Sequence, residues 1–376
     1  MRWWGAPCHS GLPVQTILTR QCAHRAVSCI CHAHSAAETR AYYRRGDIVK
    51  PMMRTIAAAV ALLLALGLAG CMETRREPIT WRLAEDGEAV PKLPERLKTG
   101  EDGLPQLAVY DVSAKDIEEM DIERYVAGVV AGEMKNDWPM EALRAQAILA
   151  RTFVLKFMQD KRSKYDGADI STDVAEAQAY APDSVNARVE EAVNGTRGLV
   201  MVYGGEYPNA WFHAHSGGMT EMPSVALEYK GGDPDYLRPT ASEESDKAPD
   251  NVKSWTARFT RDEVARACAD AGVKVGEVST VALGEKGASG RAKALLVNGE
   301  PVSAPSFRIQ IGANKLKSTL IDSVSVDGDA VIFRGRGFGH GVGLSQWGAY
   351  ALAEQGENAA GILQKYFPGV EIVEMW

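Results

Sequence analysis

The sequence predicts an α+β fold in one domain spanning 105–376, and three observations point there. Short apolar runs bounded by Gly or Pro alternate with stretches of helical periodicity, as in a domain of mixed strands and several helices. No motif returns at a fixed spacing, which excludes a repeat architecture. The preceding stretch, 71–104, is charged and Pro-containing without sustained periodicity, and reads as a flexible tether.

The domain opens with a strand over 106–111. A helix follows over about 121–133, then a turn at Lys135-Asn136-Asp137. A second helix begins near Pro139, because proline suits a first helical turn. Leu143, Ala147, Ala150, Val154 and Phe157 mark its buried stripe. A helix over about 186–193 stops at Asn194-Gly195. Runs at 199–202 and 207–212 flank Gly204-Gly205 as a hairpin, which delivers His213 and His215 to a strand end. The acidic, Pro-containing segment 233–250 reads as a surface excursion. Short strands at 294–297, 324–326 and 331–333 precede a helix after Ser345 that ends at Gly356, and Pro368-Gly369 turns into a last strand.

Upstream of the domain, Arg54 precedes an apolar run over 56–70 that ends Leu68-Ala69-Gly70-Cys71. A charged start, an apolar middle and small residues at the end make a secretory signal. The run falls short of the ~20 residues that a membrane-spanning helix needs. A cysteine directly after Leu-Ala-Gly resembles a bacterial lipobox, with Cys71 lipidated as the new N-terminus. Residues 52–70 are then a lipoprotein signal peptide. Residues 1–51 are a leader whose simplest account is a start of translation at Met52 or Met53. The leader's Cys29-x-Cys31-His32-x-His34 sits in no foldable pattern and carries little weight as a metal site.

Removing residues 1–70 takes away 8 of the 42 Lys/Arg and 2 of the 49 Asp/Glu, leaving a net charge of −13. That acidity argues against nucleic acid as a partner. Cys268 is then the one cysteine besides Cys71, so no internal disulfide framework is expected. His213, His215 and His340 are the histidines left for any chemistry.

Three motifs can carry chemistry. The first runs Gly335-Arg336-Gly337-Phe338-Gly339-His340-Gly341-Val342-Gly343-Leu344-Ser345-Gln346-Trp347. Glycine at every second position bares one side of an extended chain for close approach by a sugar or by another part of the protein. The run lacks the Lys-Ser/Thr ending of a phosphate loop. In the second motif Glu133 ends an apolar helix beside Met134 and Trp138. The helix's negative end and apolar neighbours both raise a carboxyl pKa toward that of a general acid, although a solvated helix-end glutamate fits the spacing as well. The third motif is His213-Ala214-His215-Ser216-Gly217-Gly218. His-x-His could serve a metal, but no cysteine or third histidine stands nearby, which favours hydrogen bonding or sugar contact.

The order Glu133-Met134, Pro139-x-Glu141-Ala142-Leu143, Gln146-Ala147, Ala150-Arg151-Thr152, then His213-x-x-Ser216-Gly217-Gly218, then Gly337-x-Gly339-His340-Gly341-Val342-Gly343-x-Ser345-Gln346-x-Gly348-Ala349 resembles the stage II sporulation protein D family, which includes amidase-enhancer proteins. The resemblance runs from about Gln106 to the C-terminus. It implies a peptidoglycan lytic transglycosylase acting on glycan strands, preferably those stripped of stem peptides, with Glu133 as the acid/base. Gln146, Arg151, His213, His215, Ser216, Arg336, His340, Gln346 and Trp347 would contact or position the sugar, Trp347 offering a stacking face. A relative holds zinc near the third motif, but Ser216 and Gly217 stand there in this chain, so no cofactor is expected. The rival readings are a non-catalytic glycan-binding activator of an amidase partner and a metal-dependent hydrolase using His213 and His215.

If Cys71 is the anchor, the mature protein begins there and Cys71→Ser leaves it unlipidated and released from membranes, as intact-mass and fractionation measurements would show. Mature cellular protein that retains residues 1–50 would contradict both the start and the lipobox.

Overall fold

The computed structural model describes residues 82–83, 90–101 and 103–376. The leader, the signal peptide and Cys71 lie outside the described residues. Strand β1 (Arg82–Leu83) is followed by β2 (Lys98–Thr99), β3 (Pro105–Asp111) and β4 (Asp116–Asp121). β3 pairs antiparallel with both β2 and β4, and parallel with β5 (Ile170–Ser171). Part of the expected tether therefore belongs to the fold. Val90, Leu93 and Leu97 pack against the core, and the Arg96 guanidinium lies 3.3 Å from Asp169. The charged residues of this stretch masked its apolar ones, which recur too irregularly to show a period.

Helix α1 (Ile122–Glu133) starts at Asp121, whose carboxylate accepts the Arg124 amide. It packs on α2 (Met140–Asp160), which is buried almost all round. The expected stripe of Leu143, Ala147, Ala150, Val154 and Phe157 faces one core, shared with α1, β3 and α3 (Ala187–Asn194). A second stripe of Ala142, Ala145, Ile148 and Leu149 faces another. Alanines on both sides let neighbours approach closely while favouring the helix.

The second core is closed by a small sheet. In it β6 (Leu199–Val202) pairs with the last strand, β15 (Glu371–Glu374), which also takes β1 in parallel. The expected hairpin over 199–212 is reduced to one bridge, Tyr203 with Glu206. Beyond it the chain leaves for β7 (Phe212–His213), which lies parallel to β14 (Leu344–Ser345). Helices α8 (Gln346–Glu354) and α9 (Ala359–Tyr366) complete this layer, with Ser345 and Asn358 as their N-caps.

Between β7 and β14 a third core forms. Two short helical turns, α4 (Pro223–Ala226) and α5 (Asp250–Lys253), lead to β8 (Trp255–Thr260), whose residues are alternately buried and exposed, as in a half-buried strand. Helix α6 (Arg261–Asp270) follows with a Thr260/Glu263 capping box. Strands β9 (Val281–Leu283), β10 (Ala294–Val297) and β11 (Glu300–Ser303) form one antiparallel sheet. After α7 (Ala304–Gly312), β12 (Ile321–Asp327) and β13 (Ala330–Gly335) join β8 in another. Cys268 is buried here, and burial raises its thiol to about 11. Among the described residues no helix is long and apolar enough to cross a membrane.

One buried ion pair fastens these parts together. Glu123 of α1 accepts from Nε and Nη2 of Arg151 of α2, from the Gly198 amide (3.1 Å) and from the Trp376 indole (3.2 Å). Arg151 also donates to the Leu199 carbonyl (2.8 Å), and its neighbour Thr152 accepts the Met201 amide. The Ala-Arg-Thr motif thus clamps α2 to β6. Arg151, expected to contact substrate, is fully buried in this clamp.

Removing one partner leaves the other charge buried alone, at a cost of ~3–5 kcal/mol. Glu123→Ala is expected to lower unfolding stability by that amount in urea titrations. A loss of less than ~1 kcal/mol would show that the clamp is not structural.

Candidate active site

Glu133 ends α1, and the chain at 178–181 holds it in place. Gly128 and Gly132, four residues apart, bare one strip of the helix. A Cβ at Gly132 would lie 2.7 Å from the Ala179 carbonyl, and one at Gly128 would strike the Tyr180 ring. The bare strip lets the Ala181 amide reach the Gly128 carbonyl (2.9 Å) and the Ala179 amide reach the Glu133 carboxylate (2.7 Å). Tyr180 stacks on Tyr125 with centroids 5.6 Å apart.

From the other side Gln346, at the first position of α8, donates its amide to the Glu133 carbonyl (3.2 Å). Glu133 is part-buried. Burial raises its pKa to about 7, against the opposing pull of the Ala179 and Gln346 donors. The carboxyl thus favours the folded state most below the ordinary carboxylate range, and that contribution is lost as pH rises through about 7.

The β7–β14 ladder brings the histidines beside Gln346, since His213 pairs in register with Ser345. His213 is buried, and its Nδ1 donates to the Val342 carbonyl (3.1 Å). That bond fixes the neutral tautomer and leaves a buried Nε2 lone pair with no hydrogen-bond partner. Burial, then the charges nearby, hold His213 well below its usual pKa. His340 lies 5.7 Å away, centroid to centroid. Its Nδ1 accepts the Val342 amide (3.0 Å), and its pKa falls to about 3, chiefly through burial and then through Arg308 and Arg291. Both rings are neutral near neutral pH.

His213 thus pairs with His340 rather than with His215. The His215 Nδ1 accepts the Gly217 amide (3.0 Å), and its backbone bridges Phe338. Among the described residues no group of three or more His, Cys, Asp or Glu side chains could hold a metal ion. His213 keeps a free Nε2 lone pair, but in neutral His215 and His340 the Nδ1 lone pair is taken by a backbone amide and Nε2 carries the proton, so these three rings do not offer zinc a ligand set.

Several expected contact residues have other duties. Ser216 is fully buried and, with Ser345, binds Glu244; the Ser345 hydroxyl lies 2.9 Å from both carboxylate oxygens. Trp347 is 3% exposed and packs against Trp138 (4.4 Å) and Tyr350 (5.3 Å), so it offers sugar no free face. Gln146 is buried within α2, its amide without a hydrogen-bond partner. Arg336 stands on the surface 3.2 Å from Asp322. Ser216, Trp347 and Gln146 read as ligands because their burial was not visible in the motifs.

The glycine run serves packing against the protein itself. A side chain at Gly341 would strike the Arg291 guanidinium, and one at Gly343 the Trp211 carbonyl; both positions also have positive φ. Arg291, absent from the expected set, is fully buried and donates to the carbonyls of Met219 (2.9 Å) and Ser216 (2.7 Å). Glu244 was also missed, because segment 233–250 looked like a surface excursion. Its Tyr236, Leu237 and Ala248 are buried instead.

Residues 110–203 match the family model for stage II sporulation protein, and residues 235–343 match a domain of unknown function. Stage II sporulation protein D of Bacillus amyloliquefaciens is 30% identical over 280 residues, covering 71% of this chain and 78% of that protein. An uncharacterised protein of Brachyspira hyodysenteriae is 31% identical over 262 residues, covering 69% and 68%. The amidase enhancer of Bacillus subtilis is 28% identical over 289 residues, covering 65% of this chain and 40% of that protein. The chain belongs to the stage II sporulation protein D family.

Proposed function

We propose that the chain is a peptidoglycan lytic transglycosylase with Glu133 as its acid/base. The observation that carries this reading is a part-buried carboxyl at the end of α1, met by the Ala179 amide and flanked by Gln346; its burial raises the pKa to about 7, so that a transferable proton is held near neutral pH. Hydrolytic glycosidases pair two carboxyl groups, one of them to activate water or to form a covalent intermediate. No second acid figures among the influences on Glu133, which suits a reaction that needs no external water.

In that reaction the Glu133 carboxyl protonates the oxygen of the bond between muramic acid and glucosamine, and the bond to the muramic anomeric carbon breaks. The 6-hydroxyl of the same muramic acid attacks that carbon, and the Glu133 carboxylate takes its proton. One strand leaves with a free 4-hydroxyl and the other ends in 1,6-anhydro-muramic acid. The Ala179 amide steadies the carboxylate between the two transfers. The neutral rings of His213 and His340 stand beside Gln346 and add no competing charge. No step is routed through a metal. The protein would work in the cell envelope, held to a membrane through Cys71.

A second reading draws on the relative named amidase enhancer: a module that binds glycan strands and activates an amidase without cutting. Glu133→Gln separates the two. It keeps the shape but removes the proton, so turnover on peptide-free strands should fall about a hundredfold to ten-thousandfold, read as anhydro-muramic ends by mass spectrometry. Undiminished anhydro product from folded Glu133→Gln protein would remove Glu133 from its role. Strands bound but never cut by the unaltered chain would select the enhancer reading.

A further inference from the structure

Arg308 of α7 is 7% exposed. Its Nε donates to the Lys317 carbonyl (3.1 Å) and its Nη2 to the Ala313 carbonyl (3.3 Å), at the C-terminal end of its own helix. Carbonyls satisfy hydrogen-bond donors without cancelling a full charge, and an unpaired buried charge is costly. Arg291 sets the contrast. It is buried as deeply, but Glu221 and Glu244 support its charge. Among the described residues no carboxylate pairs with Arg308, and burial pushes it down to about 10.

Lys317 repeats the pattern nearer the surface. Its Nζ lies 4.9 Å from the Phe338 ring centroid. Burial alone lowers its pKa, and no described carboxylate pairs with it. Both cations border the site. The Lys317 carbonyl that accepts Arg308 also accepts the Gly339 amide (2.9 Å), one residue before His340. Arg308 is in turn the charge that most affects the His340 ring. Two cations with no carboxylate partner among the described residues, beside a neutral histidine pair, in a chain with 49 acidic against 42 basic residues, make a place for an anion.

We propose that Lys317, backed by the buried charge of Arg308, forms a subsite beside His340 for the carboxylate of peptide-free muramic acid. This rests on the glycan-strand reading above. Each muramic acid bears a lactyl carboxyl group. In a strand that carries stem peptides this group is spent in an amide bond and uncharged; once the peptide is removed it is free and ionised. Lys317 meets the carboxylate with a charge-assisted hydrogen bond. Arg308, held out of contact by its carbonyl partners, contributes attraction through a medium less screening than water. The subsite thereby distinguishes stripped from peptide-bearing strands by charge as well as by size.

The test measures binding rather than cutting, with Glu133→Gln protein titrated with two preparations of peptide-free strands. In one the muramic carboxyls are free, and in the other they are converted to methyl amides. The free-carboxyl strands should bind about tenfold more tightly, the effect of one charge-assisted contact. Adding Lys317→Met should reduce that preference to within about twofold. Arg308→Gln, with folding checked by circular dichroism, should reduce it too. Equal binding of the two preparations by the Glu133→Gln protein, or an undiminished preference in the folded Lys317→Met variant, overturns the subsite and leaves the glycan reading standing. Failure to bind either preparation overturns the glycan reading, and the subsite with it.

Discussion

Gly128 and Gly132 bare one strip of α1, and the chain at 179–181 lies against it closely enough to cover the end of the helix. Everything chemical about Glu133 depends on that contact. It excludes water from one side of the carboxyl and supplies the Ala179 amide on another. A bulkier residue at Gly132 would lift the segment away and return Glu133 to the ordinary behaviour of an exposed glutamate. The helix end and the apolar neighbours were visible in the sequence. The covering segment was not, because it comes from 46 residues further along the chain.

The same division between local and distant runs through the fold. Elements written in their own periodicity were legible: β3, α1, the first stripe of α2, α3, and α8 after Ser345. What depended on remote partners was not. The second stripe of α2 is alanine-rich and gives little contrast until the β6–β15 sheet and α9 close over it. The hairpin expected around Gly204-Gly205 lost to pairings with β14 and β15, which lie more than a hundred residues away. Segment 233–250 looked solvated by composition, but its apolar minority and Glu244 anchor it.

For the site, position along the motifs was a better guide than role. The family pattern marked the stretches that converge: Glu133, the 211–216 chain and the glycine run. Within them, polar residue types were read as ligands, whereas Arg151 and Ser216 spend their hydrogen bonds holding the backbone together. The glycines likewise make room for Arg291 and Trp211, so that His213, His340 and Gln346 are held by a rigid frame.

The protonation state of Glu133 decides whether it can serve as the acid, and it can be observed directly. Carbon-13 NMR of the side-chain carboxyl, assigned by its absence in Glu133→Gln, should show a resonance that titrates with a midpoint of about 7. A midpoint near 4.5, the ordinary value for a glutamate, would mean that the carboxyl is ionised at neutral pH, and would contradict its assignment as the acid.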